Sequence, residues 1–397
     1  MSSVLLILTV LSLLIWIYLI LFRGGYWLSN HKLEFNSKLE HNYPSVCAVI
    51  PARNEADTIP ISLPSLLKQQ YTGDFKIILV DDQSTDGTGE IALDLSKNLN
   101  QSERIQVIIG EPLLSGWSGK LWAMQQGVNY IQSQHIEAKY ILFTDADIRH
   151  DLLNLSQLVT KAEQEKLALV SLMVLLKCES FWERFLIPAF VYFFEKLYPF
   201  SWANDPKNKM AAAAGGCILI RRDILEEIGG IEILKTALID DCTLATEVKR
   251  FIQNHPNLDT KGIWLGLTDS TYSLRDYPTL KSIWDLIART AFTQLNYSGL
   301  LLIGTVLGMV MTYLISPLSI ILGIILSNQI ILVIGLIIWL LMALSYWPTL
   351  KLYKRSPLWA FSLPVIAFLY TLMTIDSAIR YWQGKGGGWK GRVYNFD

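Results

Sequence analysis

Cysteine and histidine are both scarce, and neither is arranged for chemistry. The four cysteines (Cys47, Cys178, Cys217 and Cys242) stand singly within apolar runs or beside carboxylates, and no two share a CxxC spacing. They read as reduced core thiols of a cytosolic domain rather than as a disulfide framework or a zinc site. His135 and His150 are isolated and lack metal-ligand spacing; they read as solvent-facing or capping side chains. A basic excess is missing too. Residues 23–289 carry 27 Lys+Arg against 33 Asp+Glu, a balance that argues against nucleic-acid binding. No internal repeat or low-complexity segment stands out.

Charge is absent altogether from two stretches. Residues 4–22 are 19 positions without a charge, ended by Arg23, and residues 290–350 are 61 more. A bilayer core needs about 20 apolar residues per helix, so 4–22, 300–322, 330–346 and 356–375 are candidate spans of an integral membrane protein. The first reads as an uncleaved anchor rather than a signal peptide, because no basic residue precedes it and no small-x-small pattern follows it. Lys351, Lys354 and Arg355, with the flanks Arg23, Lys32, Lys38 and Arg289, favour the cytoplasm. Four full crossings would put both termini outside, yet the tail carries Arg380, Lys385, Lys390 and Arg392. These charges are reconciled if one hydrophobic segment is re-entrant or interfacial. Trp389-Lys390-Gly391-Arg392 reads as an interface anchor with basic lipid contacts.

Between the anchor and the membrane block, strand-like and helix-like runs alternate, which predicts a parallel α/β sheet. Strands are expected at 46–50, 75–80, 105–109, 140–143, 167–176 and 217–220, and helices at 57–70, 86–95 and 120–131. Residues 181–200 are rich in aromatics with four charges and fit either a helix lying on the bilayer or one buried in the soluble core.

Two carboxylate clusters directly follow apolar runs: Asp81-Asp82-Gln83-Ser84-Thr85-Asp86-Gly87 after 75–80, and Asp145-Ala146-Asp147 after 140–143. Strands ending at one edge of a parallel sheet bring both to the crevice where α/β folds bind ligands. Several carboxylates there suit a hard divalent cation and the diphosphate it carries, the mark of a nucleotide-sugar transferase. Taken singly, each cluster also reads as turn residues closing a strand. Lys120 lies in a Gly-rich loop before a helix, where backbone N–H groups and an ammonium meet phosphate; it equally reads as an exposed lysine at a helix start.

Pro51–Glu55, the Asp81–Thr88 run, Asp145–Asp147 and Ile239-Asp240-Asp241 together resemble the family 2 inverting glycosyltransferases over residues 44–300. More narrowly, Gly116-Trp117-Ser118-Gly119-Lys120-Leu121-Trp122-Ala123-Met124, Ala237–Cys242, Ile187-Pro188-Ala189-Phe190 and Ile263–Thr268 resemble the hopene-associated glycosyltransferases. The resemblance implies a GT-A nucleotide-diphospho-sugar transferase fold, an α/β Rossmann-like mixed sheet, here with transmembrane helices. It implies a division into an anchor (1–23), a cytoplasmic catalytic domain (24–299), a transmembrane block of about three spans (300–376) and a basic Gly-rich tail (377–397).

It also implies roles. Glu55 and Asp82 would hold the uridine and ribose of a UDP-sugar, as hydrogen-bond acceptors; Glu55 also reads as a carboxylate favoured by a helix N-terminus. Asp145 and Asp147 match the DxD element that holds Mg²⁺ or Mn²⁺ against the donor phosphates. Asp241 matches the base that takes the acceptor hydroxyl's proton, beside Asp240; the pair also reads as the cap of a helix over 243–252. Processive members carry a Gln-x-x-Arg-Trp element, where this chain has Leu286-Ile287-Ala288-Arg289-Thr290. Arg289 reads as a diphosphate clamp or as a positive flank of a membrane span. The missing Gln and Trp favour single-sugar transfer. The expectation is a multi-pass membrane enzyme moving one sugar to a lipid hydroxyl, with a hopanoid implied only by the resemblance. A processive polysaccharide synthase and a non-catalytic scaffold retaining the nucleotide fold are the alternatives.

Overall fold

A computed structural model describes residues 2–34, 43–237 and 239–384, with the strand pairs 388–389 and 392–393. The chain divides into two compact units. One is built from His31–Lys177 and Trp202–Asp276, the other from Met1–Asn30, Cys178–Ser201 and Tyr277–Gly387.

The first unit is a sheet of eight strands: β1 (Val46–Ala52), β2 (Phe75–Asp81), β3 (Ile105–Ile109), β4 (Tyr140–Thr144), β5 (Ile148–Arg149), β6 (Leu167–Leu175), β7 (Cys217–Arg221) and β8 (Gly262–Ser273). Their order is β3-β2-β1-β4-β7-β6-β8-β5. The strands are apolar on both faces because helices cover both. Val46, Ala48 and Ile50 of β1 enter one core with Ile77, Leu79 and Leu142, while Cys47 and Val49 enter the other with Ile78, Val80 and Phe143. Near-continuous apolar runs are what such a doubly covered sheet requires.

The expected parallel sheet is correct for β1, β2, β3 and β4 and needs correction elsewhere: β5 is antiparallel to β8. β7 runs antiparallel to both β4 and β6, so the sheet is mixed. The reversal matters for the site, since β7 starts at the edge where β1, β2 and β4 end. Thr144 pairs with Cys217 and Ala52 with Asp81, which sets residues 53–55, 82, 145 and 215–216 along one edge.

The second unit is helical. Ser3–Phe22, Gly299–Ile325, Gln329–Leu352 and Pro357–Trp382 are each long and apolar enough to cross a membrane. Polar groups of the first two meet inside the unit: Thr9 Oγ1 lies 2.7 Å from Ser319 Oγ, and Trp16 Nε1 donates to Thr312 O at 2.6 Å. That carbonyl belongs to a π-turn, Val310–Leu314, where the widened ladder leaves a carbonyl for a neighbouring helix to satisfy.

Helix Phe181–Leu197, opened by a Ser180–Glu183 capping box, belongs to this unit and not to the core of the sheet unit. Its Tyr192 is fully buried, with its hydroxyl 3.0 Å from that of Tyr26 and 2.8 Å from Ser345 Oγ. Such an aromatic helix needs apolar neighbours and finds them among other helices. The tail motif Trp389–Arg392 lies outside the described residues apart from its strand backbone, as does Lys38.

Candidate active site

Lys120 is the second residue of helix Gly119–Ser133, whose cap Ser118 accepts a hydrogen bond from Leu121 N–H. Asp145 leaves the end of β4. Asp240 and Asp241 form the first turn of helix Asp240–Asn254, which therefore begins before the expected 243; carboxylates are favoured there by the helix dipole. These side chains line one pocket with Thr144 and Gly215. Lys120 Nζ stands 2.7 Å from Asp145 Oδ1 and 4.0 Å from Asp240 Oδ2. Burial opposes the Lys120 charge, but Asp145, Asp240 and Asp241 outweigh it and hold the ammonium's pKa above its ordinary value.

Asp241 is gripped by backbone. Its Oδ2 accepts from Gly215 N–H at 2.8 Å and its Oδ1 from Cys242 N–H at 2.7 Å. Burial, then the neighbouring Asp240 charge, pushes it up to about 6, against the lowering pull of those N–H groups and Lys120. A carboxylate so tuned stays ionised at neutral pH yet takes a proton more readily than an ordinary aspartate.

Asp147 is buried, and Ser273 Oγ donates to its Oδ2 at 3.3 Å. Burial raises its pKa first, then the charges of Asp145 and Glu55, with Arg275 opposing. A carboxylate penalised by its like-charged neighbours is a place where a cation is welcome. Among the described residues no group of three or more His, Cys, Asp or Glu side chains is set to hold a metal ion. Carboxylate oxygens such as those of Asp145 and Asp147 are the donor type that hard divalent ions prefer.

Glu55 lies just ahead of helix Ile59–Leu67, which starts later than the expected 57; Thr58 Oγ1 donates to Glu55 Oε2 at 2.8 Å. Its loop is stitched to the β2 loop: Asn54 N–H donates to Ser84 Oγ, Ala56 N–H to Asp86 Oδ2 and Glu55 N–H to Thr88 Oγ1. Asp82 is fully buried, with Arg53 Nη1 3.7 Å from its Oδ2. Arg289 is exposed at the C-cap of helix Leu280–Ala288 in the helical unit. Lys120, Asp145, Asp240 and Asp241 thus meet in one pocket; Asp147 feels the charges of Asp145 and Glu55; Asp82 is buried beside Arg53; Arg289 belongs to the helical unit.

Several residues of the site escape sequence reasoning. Gly215 holds Asp241, and a Cβ there would come 3.3 Å from Lys120 Nζ and 3.4 Å from Asp241 Oδ2. Only the run of four alanines before it hinted at close packing. Lys249, 3% exposed, donates to Trp202 O, Ala203 O and Met210 O at 3.3, 2.7 and 2.6 Å, tying the Asp240–Asn254 helix to the segment that leads into Gly215. His150 is not solvent-facing, as its isolation suggested, but buried. Thr144 Oγ1 donates to Gly216 O and so accepts from His150 Nε2, while Asn154 Nδ2 donates to His150 Nδ1, at 2.9 Å each. Burial pushes this neutral imidazole down to about 3, and the network braces the end of β4. The four cysteines are free and buried, as their spacing predicted.

The family model for glycosyl transferase family 2 matches residues 47–229. A 4,4'-diaponeurosporenoate glycosyltransferase of Staphylococcus haemolyticus is 30% identical over 128 residues, covering 32% of this chain and 31% of that protein. The dolichyl-phosphate beta-glucosyltransferase of Saccharomyces cerevisiae is 32% identical over 136 residues, 33% of this chain and 38% of that one. The chain thus spans about a third of the length of the curated relatives it matches. In fold it is similar to a mannosyltransferase of Pyrobaculum calidifontis in complex with GDP-Man and Mn2+, with a TM-score of 0.52 at 17% identity over 96% of this chain and 99% of that one. Residues 47–229 thus form a glycosyl transferase family 2 domain, on a fold similar to the GT-A transferases.

Proposed function

We propose that this protein transfers a single sugar, with inversion, from a UDP-activated donor to a hydroxyl of a membrane lipid, from a catalytic unit on the cytoplasmic face. The observation that carries this reading is the convergence of Lys120, Asp145, Asp240 and Asp241 on one pocket at the sheet edge of a family 2 domain. A lipid acceptor is supported by the four apolar helices and by the names of two relatives, which act on diaponeurosporenoate and dolichyl phosphate. The finer expectation of a hopanoid rests on the motif resemblance alone.

Asp241 serves as the base. It removes the proton of the acceptor hydroxyl as that oxygen bonds to the anomeric carbon on the face opposite the diphosphate. The anomeric C–O bond breaks, its electron pair leaves with UDP, and the configuration inverts. Lys120 meets the diphosphate from the N-terminal turn of its helix, and Glu55 and Asp82 hold the nucleoside. Asp145 and Asp147 are the residues that would hold Mg²⁺ or Mn²⁺, which neutralises charge on the leaving diphosphate. Asp240 keeps the base raised. The assignment uses the sheet unit alone; Arg289 belongs to the helical unit.

UDP release by detergent-solubilised protein tests the reading. A panel of UDP-sugars is offered with Mn²⁺ or Mg²⁺ and membrane lipid, beside Asp147→Asn, and the lipid product is weighed by mass spectrometry. Metal-dependent release, lost in the variant, with one sugar added per lipid, is the expected result. Polymer would establish the processive alternative. Folded protein inert towards every donor would overturn the transferase reading, and turnover of unrelated lipids but no hopanoid would remove the hopanoid.

A further inference from the structure

Lys120 stands where its charge has two claimants. Its ammonium is 2.7 Å from Asp145 Oδ1 and 4.0 Å from Asp240 Oδ2, and it crowds Gly215, whose N–H holds Asp241. One cation therefore serves a metal-side carboxylate and the carboxylates of the base together. A divalent ion on Asp145 would share that carboxylate with an ammonium already in contact with it, and the two positive charges would repel. The lysine side chain is a point charge on a flexible stem, so it can leave Asp145 if another anion is offered nearby. The diphosphate of a donor is such an anion, and the N-terminus of Lys120's own helix is suited to receive it.

We propose that Lys120 is an internal counter-ion that sits between Asp145 and Asp240 in the donor-free enzyme and gives up Asp145 to the divalent ion when the diphosphate arrives. This rests on the transferase reading above and deepens it. Lys120 weakens metal binding before the donor is present and strengthens it afterwards, because the diphosphate draws the ammonium away from Asp145. Metal and donor are then bound together rather than singly, and free metal does not idle in the site.

The test is Mn²⁺ binding, read from the electron paramagnetic resonance of free Mn²⁺, with and without UDP. Wild type is compared with Lys120→Met and with Lys120→Gln, a second uncharged variant, each shown to be folded by circular dichroism. Without UDP the uncharged variants should bind Mn²⁺ roughly ten-fold more tightly than wild type, within the range usual for two ligands coupled through one protein. With UDP that advantage should vanish or reverse. Lys120→Arg, which keeps the charge, should stay close to wild type without UDP. Unchanged or weaker Mn²⁺ binding by the folded uncharged variants without UDP, while wild type binds Mn²⁺ with UDP, would overturn the counter-ion and leave the transferase standing. Wild type that takes up no Mn²⁺ even with UDP would remove the metal-dependent reading and the exchange with it.

Discussion

A base that must lose its proton and a fold that resists its charge pull Asp241 in opposite directions. Burial and Asp240 raise its pKa to about 6, above the ordinary carboxylate range. Between that range and about pH 6 the folded protein keeps a proton the unfolded chain has released, so stability falls as pH rises across this window. With Asp241 as the proposed base, the rate should rise across the same window, because only the ionised carboxylate accepts the hydroxyl proton. A pH profile of kcat/KM should therefore climb through about 6 and level off, while the thermal midpoint in detergent drifts down. Lys120 is among the groups that lower Asp241, so Lys120→Met should carry the kinetic limb to higher pH. Asp241→Asn should abolish transfer and remove its share of the stability drift. A limb unmoved in Lys120→Met, or full activity in Asp241→Asn, would displace Asp241 from the role of base.

The elements that present these residues depend on close contacts that hydrophobic pattern does not record. Helix Gly119–Ser133 lies on β1 and β2 through Gly127, where a Cβ would fall 2.5 Å from Val49 Cγ1 and 3.3 Å from Val80 Cγ2. Both valines are fully buried and stiff at χ1, so Gly127→Ala forces the helix away from the sheet and Lys120 with it. The expected cost is about 1–3 kcal/mol, read as a lowered thermal midpoint, together with a loss of rate; Gly304→Ala, which opens onto free space, should change neither. Most strands were legible to within a residue or two, since β1, β2, β4 and β6 are apolar runs bounded by polar turns, and the carboxylates at their ends are what a sheet edge displays. The direction of β7 was not legible. A five-residue strand buried at all but its last residue carries no alternation to orient it, and only the path through 200–216 reverses it. Helix Phe181–Leu197 admitted two placements for a related reason, because lipid, core and neighbouring helices all accept the same aromatic surface. Gly215, Arg275 and the His150 network were hidden because their role lies in pairings across strands, which spacing along the chain does not encode.

At the scale of the whole molecule, the contacts within the helical unit bear on the conflict between four apolar helices and a basic tail. Helix Ser2–Phe22 and the stretch Gly299–Ile325 run in opposite directions, since Thr9 meets Ser319 and Trp16 meets Thr312. Gln329–Leu352 returns, with Thr349 beside Ser29, so residues 23, 299 and 352 share one end of the unit. Arg355 at that end donates to Cys178 O. The chain then climbs: Phe361 O accepts from Trp339 Nε1, about 20 Å back along that helix at 1.5 Å per residue. From there Leu363–Trp382 descends. Ala378 packs with Leu302, Ser377 Oγ accepts from Phe292 N–H, Arg380 pairs with Asp285 at 2.8 Å, and Tyr381 stacks on Tyr297. The fourth helix thus starts and finishes at one end, which predicts three crossings and one re-entrant segment. Lys351, Lys354, Arg355 and Arg380 then all lie at that end, which the positive-inside rule assigns to the cytoplasm. Single cysteines at Ser327, Lys354 and Gln383 decide it with an impermeant maleimide on intact and inverted vesicles, the native thiols being buried. Lys354→Cys and Gln383→Cys should label only in inverted vesicles and Ser327→Cys only in intact ones. Gln383→Cys labelling alongside Ser327→Cys would instead mean that the fourth helix crosses the membrane, leaving the basic tail outside.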